Sequence, residues 1–412
     1  MSIQTIVVVG AGQAGYQVAA SLRQEGFDGA ITLVGDEPGV PYQRPPLSKA
    51  YLLGKVGVAA LRFRPPAYFD EHRITRIQAS VARIDREHRS VVLSNHDTLP
   101  YDHLVLATGA RNRVPAVPGI ELDGVFGLRS LADADGLSER LAQAKHVVVI
   151  GAGFIGLEFA AVAAVRGMSV NVLELGSRPM ARAVSTTMSQ VFDQAHASWG
   201  VRIHYGQSLS AIQSVDGKVT GVQLTNGDLF PADLVVYGIG VLPNAELARD
   251  AGLAVHNGIT VDDQLLSSDP AVSAIGDVAS FPNPWLPQPI RLESVQNAVD
   301  QAKAVAARLV GKPSSYAALP WFWTDQGELK LQIAGLSEGH DATVVLGSPE
   351  QRQLSVLCFK SGRLVAVESC NRPADHMASR KLIARRTPLS AEQASTHGFD
   401  LKAFEASTRE AV

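Results

Sequence analysis

The chain of 412 residues carries 40 acidic and 37 basic side chains, a formal charge of -3, and is 46% apolar and 19% charged. At about 150 residues per domain this implies two to three domains with ample cores, and the charge balance gives no global basic excess that would mark nucleic acid or an anionic membrane as the partner. Two cysteines twelve positions apart, Cys358 and Cys370, and eleven histidines with no HxxxH pair exclude a disulfide framework, a structural zinc site and a dithiol redox centre.

The chain opens on an apolar run with no basic residue before Arg23, so the charged start of a secretory signal is missing. Within that run, Thr5 to Val9 is short and rich in β-branched residues. Gly10-Ala-Gly12-Gln-Ala-Gly15 and a helical pattern through Leu22 follow at once. The order is strand, tight turn, helix. A second strand, Ala30 to Val34, ends in Gly35-Asp36-Glu37, which places Asp36 26 positions after Gly10. These are the parts of a dinucleotide site. Glycines let the backbone approach a pyrophosphate at the positive end of the helix, and the acid accepts hydrogen bonds from ribose hydroxyls.

The same construction recurs from His146. The strand Val147 to Ile150 leads into Gly151-Ala-Gly153-Phe-Ile-Gly156, a helix to about Arg166, a strand Ser169 to Leu173, and Glu174. The apolar stretch Val147 to Val165 is cut by Glu158 and three glycines, too interrupted to cross a bilayer, so a soluble intracellular protein is expected. One such loop is a weak signal; two with matching strands, helices and terminal acids are a strong one. Two dinucleotides on one chain have a chemical use, since a flavin dinucleotide and a nicotinamide dinucleotide can pass a hydride between their rings. Sequence order alone does not say which loop holds which.

Three further stretches are Tyr101-Asp-His-Leu-Val-Leu-Ala-Thr-Gly109, Leu234-Val-Val-Tyr-Gly-Ile-Gly-Val-Leu-Pro-Asn244 and Val272-Ser-Ala-Ile-Gly276-Asp277. With the glycine loops they resemble the two-dinucleotide-binding flavoprotein disulfide-reductase superfamily. That resemblance implies FAD on the first unit, NAD(P)H on the second, and a nicotinamide domain inserted into the FAD domain. The expected division is FAD-binding segments at 1 to 108 and 237 to 318, an NAD-binding domain at 109 to 236, and a C-terminal α+β domain at 319 to 412. A finer likeness lies in Tyr42-Gln-Arg-Pro-Pro-Leu-Ser-Lys49, Glu293-Ser-Val-Gln-Asn-Ala298 and Trp321-Phe-Trp-Thr-Asp-Gln326. These are similar to the NADH-dependent ferredoxin reductases that serve bacterial aromatic-ring dioxygenases and haem monooxygenases. The fold expected is therefore α/β, with two Rossmann-like dinucleotide-binding domains, plus the C-terminal domain. Strands of the latter are predicted at Lys330 to Ile333, Ala342 to Leu346, Leu354 to Phe359 and Leu364 to Glu368.

The resemblance places Gly10, Gly12, Ala14 and Gly15 around the FAD pyrophosphate and Asp36 at the adenosine ribose. It brings Asp277, after Gly276, to the ribityl chain, and assigns Arg44, Val81, Thr108, Gly109, Arg129 and Val295 to FAD as well. Lys49 is implied near flavin N5, paired with Glu158 early in the second helix; a buried cation there favours the anionic reduced flavin, and a carboxylate partner limits its desolvation cost. Gly151, Gly153 and Gly156 complete the nicotinamide site. Glu174 points to NADH, because a carboxylate at that strand end bonds the ribose 2'-hydroxyl and repels the extra phosphate of NADPH. Arg178, four residues on, weakens that preference. In a strand Trp321 and Trp323 share one face; their spacing alone fits a core, and the resemblance makes Trp323 a neighbour of the flavin.

Disulfide reductases of this superfamily pass electrons from flavin to cysteine, but Gly35 to Lys49 contains none. The flavin itself must hand on the electrons. Two cysteines cannot supply the four thiolates that hold an iron-sulfur cluster, so a partner must carry it. The expected reaction passes electrons from NADH through FAD to a [2Fe-2S] ferredoxin, which feeds a haem monooxygenase or ring-hydroxylating dioxygenase in the cytoplasm. Arg372, Arg380, Lys381, Arg385 and Arg386, set against Asp375 alone within Asn371 to Arg386, form a candidate face for an acidic ferredoxin. The competing readings are an NADH oxidase, a reductase of rubredoxin or quinones, and a redox-sensing interaction protein like apoptosis-inducing factor.

Overall fold

The computed structural model describes residues 3–313 and 315–408. The chain divides into two compact units. The first comprises residues through Gln43, Val58–Arg111 and Leu242–Ala318; the second comprises Arg44–Gly57, Asn112–Val241 and the chain from Leu319.

The first unit is built on a five-stranded parallel sheet ordered Val272–Ala274, His103–Leu106, Thr5–Val9, Ala30–Gly35, Ile74–Gln78. Its central strands are mostly apolar, as suits strands covered on both faces; Ile6, Val8, Leu104 and Val105 have no exposure. Helices Gln13–Gln24 and Val295–Leu309 pack against each other beside the sheet. Both contribute alanines to the contact, which lets the backbones approach closely.

The second unit repeats the plan with a parallel sheet ordered Val201–Tyr205, Ser169–Glu174, His146–Ile150, Leu234–Tyr237, Val125–Gly127. Its helix Phe154–Val165 is apolar on nearly all sides, with Leu157 and Phe159 to Val162 buried. Such a helix must be covered all round. Part of the cover is the strand Trp321–Gln326, the edge of a five-stranded antiparallel sheet ordered Trp321–Gln326, Leu329–Gly335, Arg363–Cys370, Gln353–Lys360, Ala342–Ser348. All four strands predicted for this region are present, each longer by one or two residues at one or both ends.

Arg44–Gly57, which the sequence groups with the first FAD-binding segment, clusters with the second unit. Hydrogen bonds hold it there: Ser48 to Glu158, Tyr51 to Asp135, and Arg166 to the Leu52 carbonyl. Among the described residues no helix is long and apolar enough to cross a membrane.

Candidate functional site

Both glycine loops are shaped to receive an anion. In the first unit Gly10 adopts φ +108°, and a Cβ there would lie 2.2 Å from the Ala107 carbonyl oxygen. One added at Gly15 would come within 1.8 Å of the Gly10 carbonyl, so the helix can start beside the turn only without a side chain at either position. Gly12 is different. It is the N-cap of helix Gln13–Gln24, supplies no side-chain cap, and faces open space within 4 Å of its missing Cβ. The unsatisfied N–H groups of the first turn are thus left for a ligand.

The second unit reproduces this. Gly151 has φ +100°, a Cβ added at Gly156 would lie 2.2 Å from the Gly151 carbonyl oxygen, and Gly153 caps helix Phe154–Val165 without a side-chain hydrogen bond. Each loop therefore fits a dinucleotide pyrophosphate.

Around the first loop the unit gathers most of the residues assigned to FAD. Gly35 pairs with Gln78 and its carbonyl accepts from Ala79, which sets the Val81 segment beside exposed Asp36. Thr108 and Gly109 follow the strand next to Gly10; the Thr108 hydroxyl donates to the Asn244 carbonyl at 2.7 Å, and Gly109 turns with φ +65°. Gly276 fits against Ala14, where a Cβ would approach the Ala14 Cβ to 3.0 Å, and accepts Ala298 behind it. Its N–H donates to the wholly buried Gln301 at 2.7 Å, and the other end of that amide, Nε2, is without a partner among the described residues. Asp277 follows in the short turn Gly276–Val278, and Val295 opens the helix that carries Ala298.

The remaining residues assigned to FAD lie in the second unit. Arg44 donates to the Arg129 carbonyl at 2.8 Å, and the Arg129 backbone N–H donates to the Asp133 carboxylate at 3.0 Å. Two consecutive prolines after Arg44 fix the turn Pro45–Ser48 and leave Lys49 at its end. Lys49 Nζ lies 2.8 Å from Glu158 and donates to the Pro45 carbonyl at 3.1 Å. Glu158 is 5% exposed. A bare carboxylate so buried would be costly; here Lys49 and Ser48 donate to Oε2, and Thr324 donates to Oε1 at 2.6 Å. Sequence reasoning found the Lys49 and Glu158 pair but missed Ser48 and Thr324, although both lie inside the motifs it singled out.

Glu174 ends its strand as expected and folds back on its own loop. One oxygen accepts from the Ala152 N–H at 2.7 Å and the other from Gly176 at 2.6 Å. Arg178 does not oppose it. The guanidinium is engaged by the Val184 carbonyl at 2.9 Å, the Ser189 hydroxyl at 2.5 Å and the Ala181 carbonyl at 2.8 Å. Arg178 thus donates through Nη1 and Nη2 within its own loop and the helix that follows it.

Trp321 and Trp323 share a face of their strand, with ring centroids 5.7 Å apart. Arg380 stacks over Trp321 at 4.5 Å, and His376 meets that indole edge-on at 5.6 Å. The basic stretch beyond is less free than its composition implies. Arg372 pairs with buried Asp375 at 2.8 Å, and Arg385 pairs with buried Glu405 at 2.8 Å. Lys381 stays exposed. The sequence missed Glu405 because it lies outside the stretch, in the final helix Leu401–Ser407.

Comparison with known proteins agrees with this geometry. Residues 4–302 match the family model described as pyridine nucleotide-disulphide oxidoreductase, and residues 321–405 match one described as reductase C-terminal. Rhodocoxin reductase of Rhodococcus erythropolis is 52% identical over 97% of this chain and 93% of its own length. The crystal structure of the ferredoxin reductase for the CYP199A2 system of Rhodopseudomonas palustris superposes with a TM-score of 0.96 at 49% identity, covering 98% of this chain and 100% of that one. The reductase in the covalent putidaredoxin reductase-putidaredoxin complex does so with a TM-score of 0.96 at 38% identity, covering 99% and 100%.

Proposed function

This chain belongs to the pyridine nucleotide-disulphide oxidoreductase family, among the ferredoxin reductases like putidaredoxin and rhodocoxin reductase, and on that premise we propose how it works. It is an FAD-dependent NADH:ferredoxin reductase that supplies a haem monooxygenase or a ring-hydroxylating dioxygenase through a [2Fe-2S] ferredoxin. The observation that carries the reading is the doubled uncapped glycine loop, together with the pairing of partly buried Lys49 with buried Glu158 and no cysteine within either loop.

We assign the first loop, Gly10 to Gly15, with Asp36, Val81, Thr108, Gly109, Gly276, Asp277 and Val295, to FAD. Arg44, Lys49, Arg129 and Trp323 are assigned to the same cofactor. Gly151, Gly153, Gly156 and Glu174 are assigned to NADH. The corresponding domains are 1 to 108 with 237 to 318 for FAD, 109 to 236 for NADH, and 319 to 412 at the C-terminus. Bound FAD supplies the conversion of a two-electron hydride into single electrons.

What the chain supplies is binding and electrostatics. The helix starting at Gln13 and that starting at Phe154 each offer open N–H groups to a pyrophosphate, an arrangement worth about 0.3 to 1 kcal/mol from the helix dipole alone. Glu174, accepting from the loop that it faces, keeps a carboxylate beside the ribose position and disfavours a 2'-phosphate. Lys49 holds a positive charge in a largely buried place, kept there by Glu158. In our reading that charge offsets the negative charge of the reduced ring. Both cysteines are wholly buried in the C-terminal sheet, where burial pushes their thiols up from the ordinary value, so neither is an activated thiolate.

We place the reaction in the cytoplasm, where NADH is regenerated and buried thiols stay reduced. The test is anaerobic mixing of the yellow protein with NADH, then turnover with a panel of [2Fe-2S] ferredoxins. Flavin bleaching followed by ferredoxin-dependent cytochrome reduction is expected. Faster oxygen consumption with NADH alone than through any ferredoxin would instead favour an oxidase.

A further inference from the structure

The strand Trp321–Gln326 has two faces, and the one opposite the indoles is organised around Glu158. Phe322 meets Phe154, the first residue of the glutamate helix, edge-on at 4.9 Å. Two residues on, Thr324 donates to Glu158 Oε1 at 2.6 Å. Two further, Gln326 donates through Nε2 to Thr324 Oγ1 at 3.3 Å and accepts on Oε1 from His196 Nε2 at 2.8 Å. Thr324, Gln326 and His196 are 1%, 0% and 0% exposed.

The direction of this chain follows by elimination. A carboxylate only accepts, so the Thr324 proton lies toward Glu158 and its oxygen must accept from the Gln326 amide. The Gln326 carbonyl is then left as acceptor, which fixes the proton of a neutral His196 on Nε2. Burial lowers the His196 pKa to about 4, so the ring is neutral near pH 7, and its Nδ1 has no partner among the described residues. Trp199 closes the far end, edge-on to His196 at 4.8 Å, with Gly327 so close to the indole that a Cβ would reach 2.6 Å. Three hydrogen bonds in a row thus donate toward one carboxylate, each polarising the next.

We propose that Thr324, backed by Gln326 and His196, is a positioning residue for the flavin reaction. It holds one oxygen of Glu158 so that the other stays on Lys49 and Ser48, which fixes where the Lys49 charge sits. The C-terminal domain thereby sets the electrostatics of the reductive step as well as carrying the indoles. This inference rests on the reading of Lys49 as the cation that serves the reduced flavin.

The test uses the holoenzyme. Thr324→Val keeps the shape and removes the donor. It is expected to slow anaerobic flavin bleaching by NADH about tenfold with the apparent Kd for NADH unchanged, and to lower the flavin midpoint potential in the same direction as Lys49→Met. Thr324→Ser should restore both. In a Lys49→Met background Thr324→Val should add nothing to either readout. In addition, the ¹⁵N spectrum of the wild-type protein should show His196, assigned by its loss in His196→Gln, as the neutral Nε2–H tautomer. Equal losses from Thr324→Val in both backgrounds, an unchanged rate and potential, or an Nδ1–H tautomer would overturn the proposal. A wild-type flavin that NADH does not bleach would instead overturn the underlying reading, and the proposal with it.

Discussion

The two glycine loops are the same device placed in different company. Seven positions after the first glycine, the helix of the first unit carries Gln17 and that of the second carries Glu158. Gln17 bonds within its own helix, donating to Ser21 at 3.0 Å. Glu158 is buried and draws donors from outside its helix: Ser48, Lys49 and Thr324. The scaffold that grips a pyrophosphate is indifferent to that position. On the function proposed above, the charge placed there decides whether the unit only holds a dinucleotide or also positions the Lys49 cation.

Making the second helix resemble the first should therefore have the largest effect. Glu158→Gln removes a charge-assisted partner worth about 1.5 to 3 kcal/mol, so flavin reduction by NADH should fall roughly 10- to 100-fold in stopped-flow measurements. Gln17→Ala should leave that rate unchanged. Equal losses at the two positions would break the comparison.

Acid should expose a feature both units share. Burial, the main cause, lowers His103 in the first unit to about 3, and it lowers His196 in the second to about 4. Both are neutral when folded, while the unfolded chain takes up protons below the ordinary histidine value of about 6.5. Stability is thus fully present above pH 6.5 and is lost as pH falls toward 4, by about 3 kcal/mol for each histidine over that window. Thermal denaturation followed from pH 7 to 4 should show Tm falling throughout. A flat profile would contradict the buried neutral state of both rings.

The terminal acids should separate the two loops by ligand. Glu174→Ala should raise the KM for NADH about tenfold and narrow its advantage over NADPH, since one charged hydrogen bond is lost. Asp36→Ala should leave the KM for NADH unchanged and let flavin escape during dialysis. A smaller effect is expected at the surface. Lys381→Glu should raise the KM for an acidic ferredoxin a few-fold at low salt and leave ferricyanide reduction unaffected. Arg385 is the poorer probe, because its reversal also removes an ion pair from buried Glu405.

Most of the scaffold was legible because it depends on local chemistry. The strand, glycine turn and helix of each unit are set by β-branched runs and by glycines that nothing else could replace, and their bounds differ from the expected ones by two residues at most. The pair of Lys49 and Glu158 was reached through resemblance, since 109 positions separate the two residues in the chain. What could not be read was how side chains far apart in sequence divide their hydrogen bonds. Arg178 looked free beside Glu174 until its donors were seen to fall on Val184, Ala181 and Ser189. Thr324 and Gln326 stood in plain sight just after the two tryptophans, but polarity and alternation alone do not say which carboxylate a hydroxyl will find.

The central claim is that electrons pass from NADH to the flavin and leave it without a thiol relay. Its most direct measurement is anaerobic stopped-flow reduction of the Cys358→Ala/Cys370→Ala double variant by NADH with a [2Fe-2S] ferredoxin present. Bleaching of the yellow absorbance and reduction of the iron-sulfur centre at wild-type rates are predicted; loss of the second signal while the first persists would contradict the account.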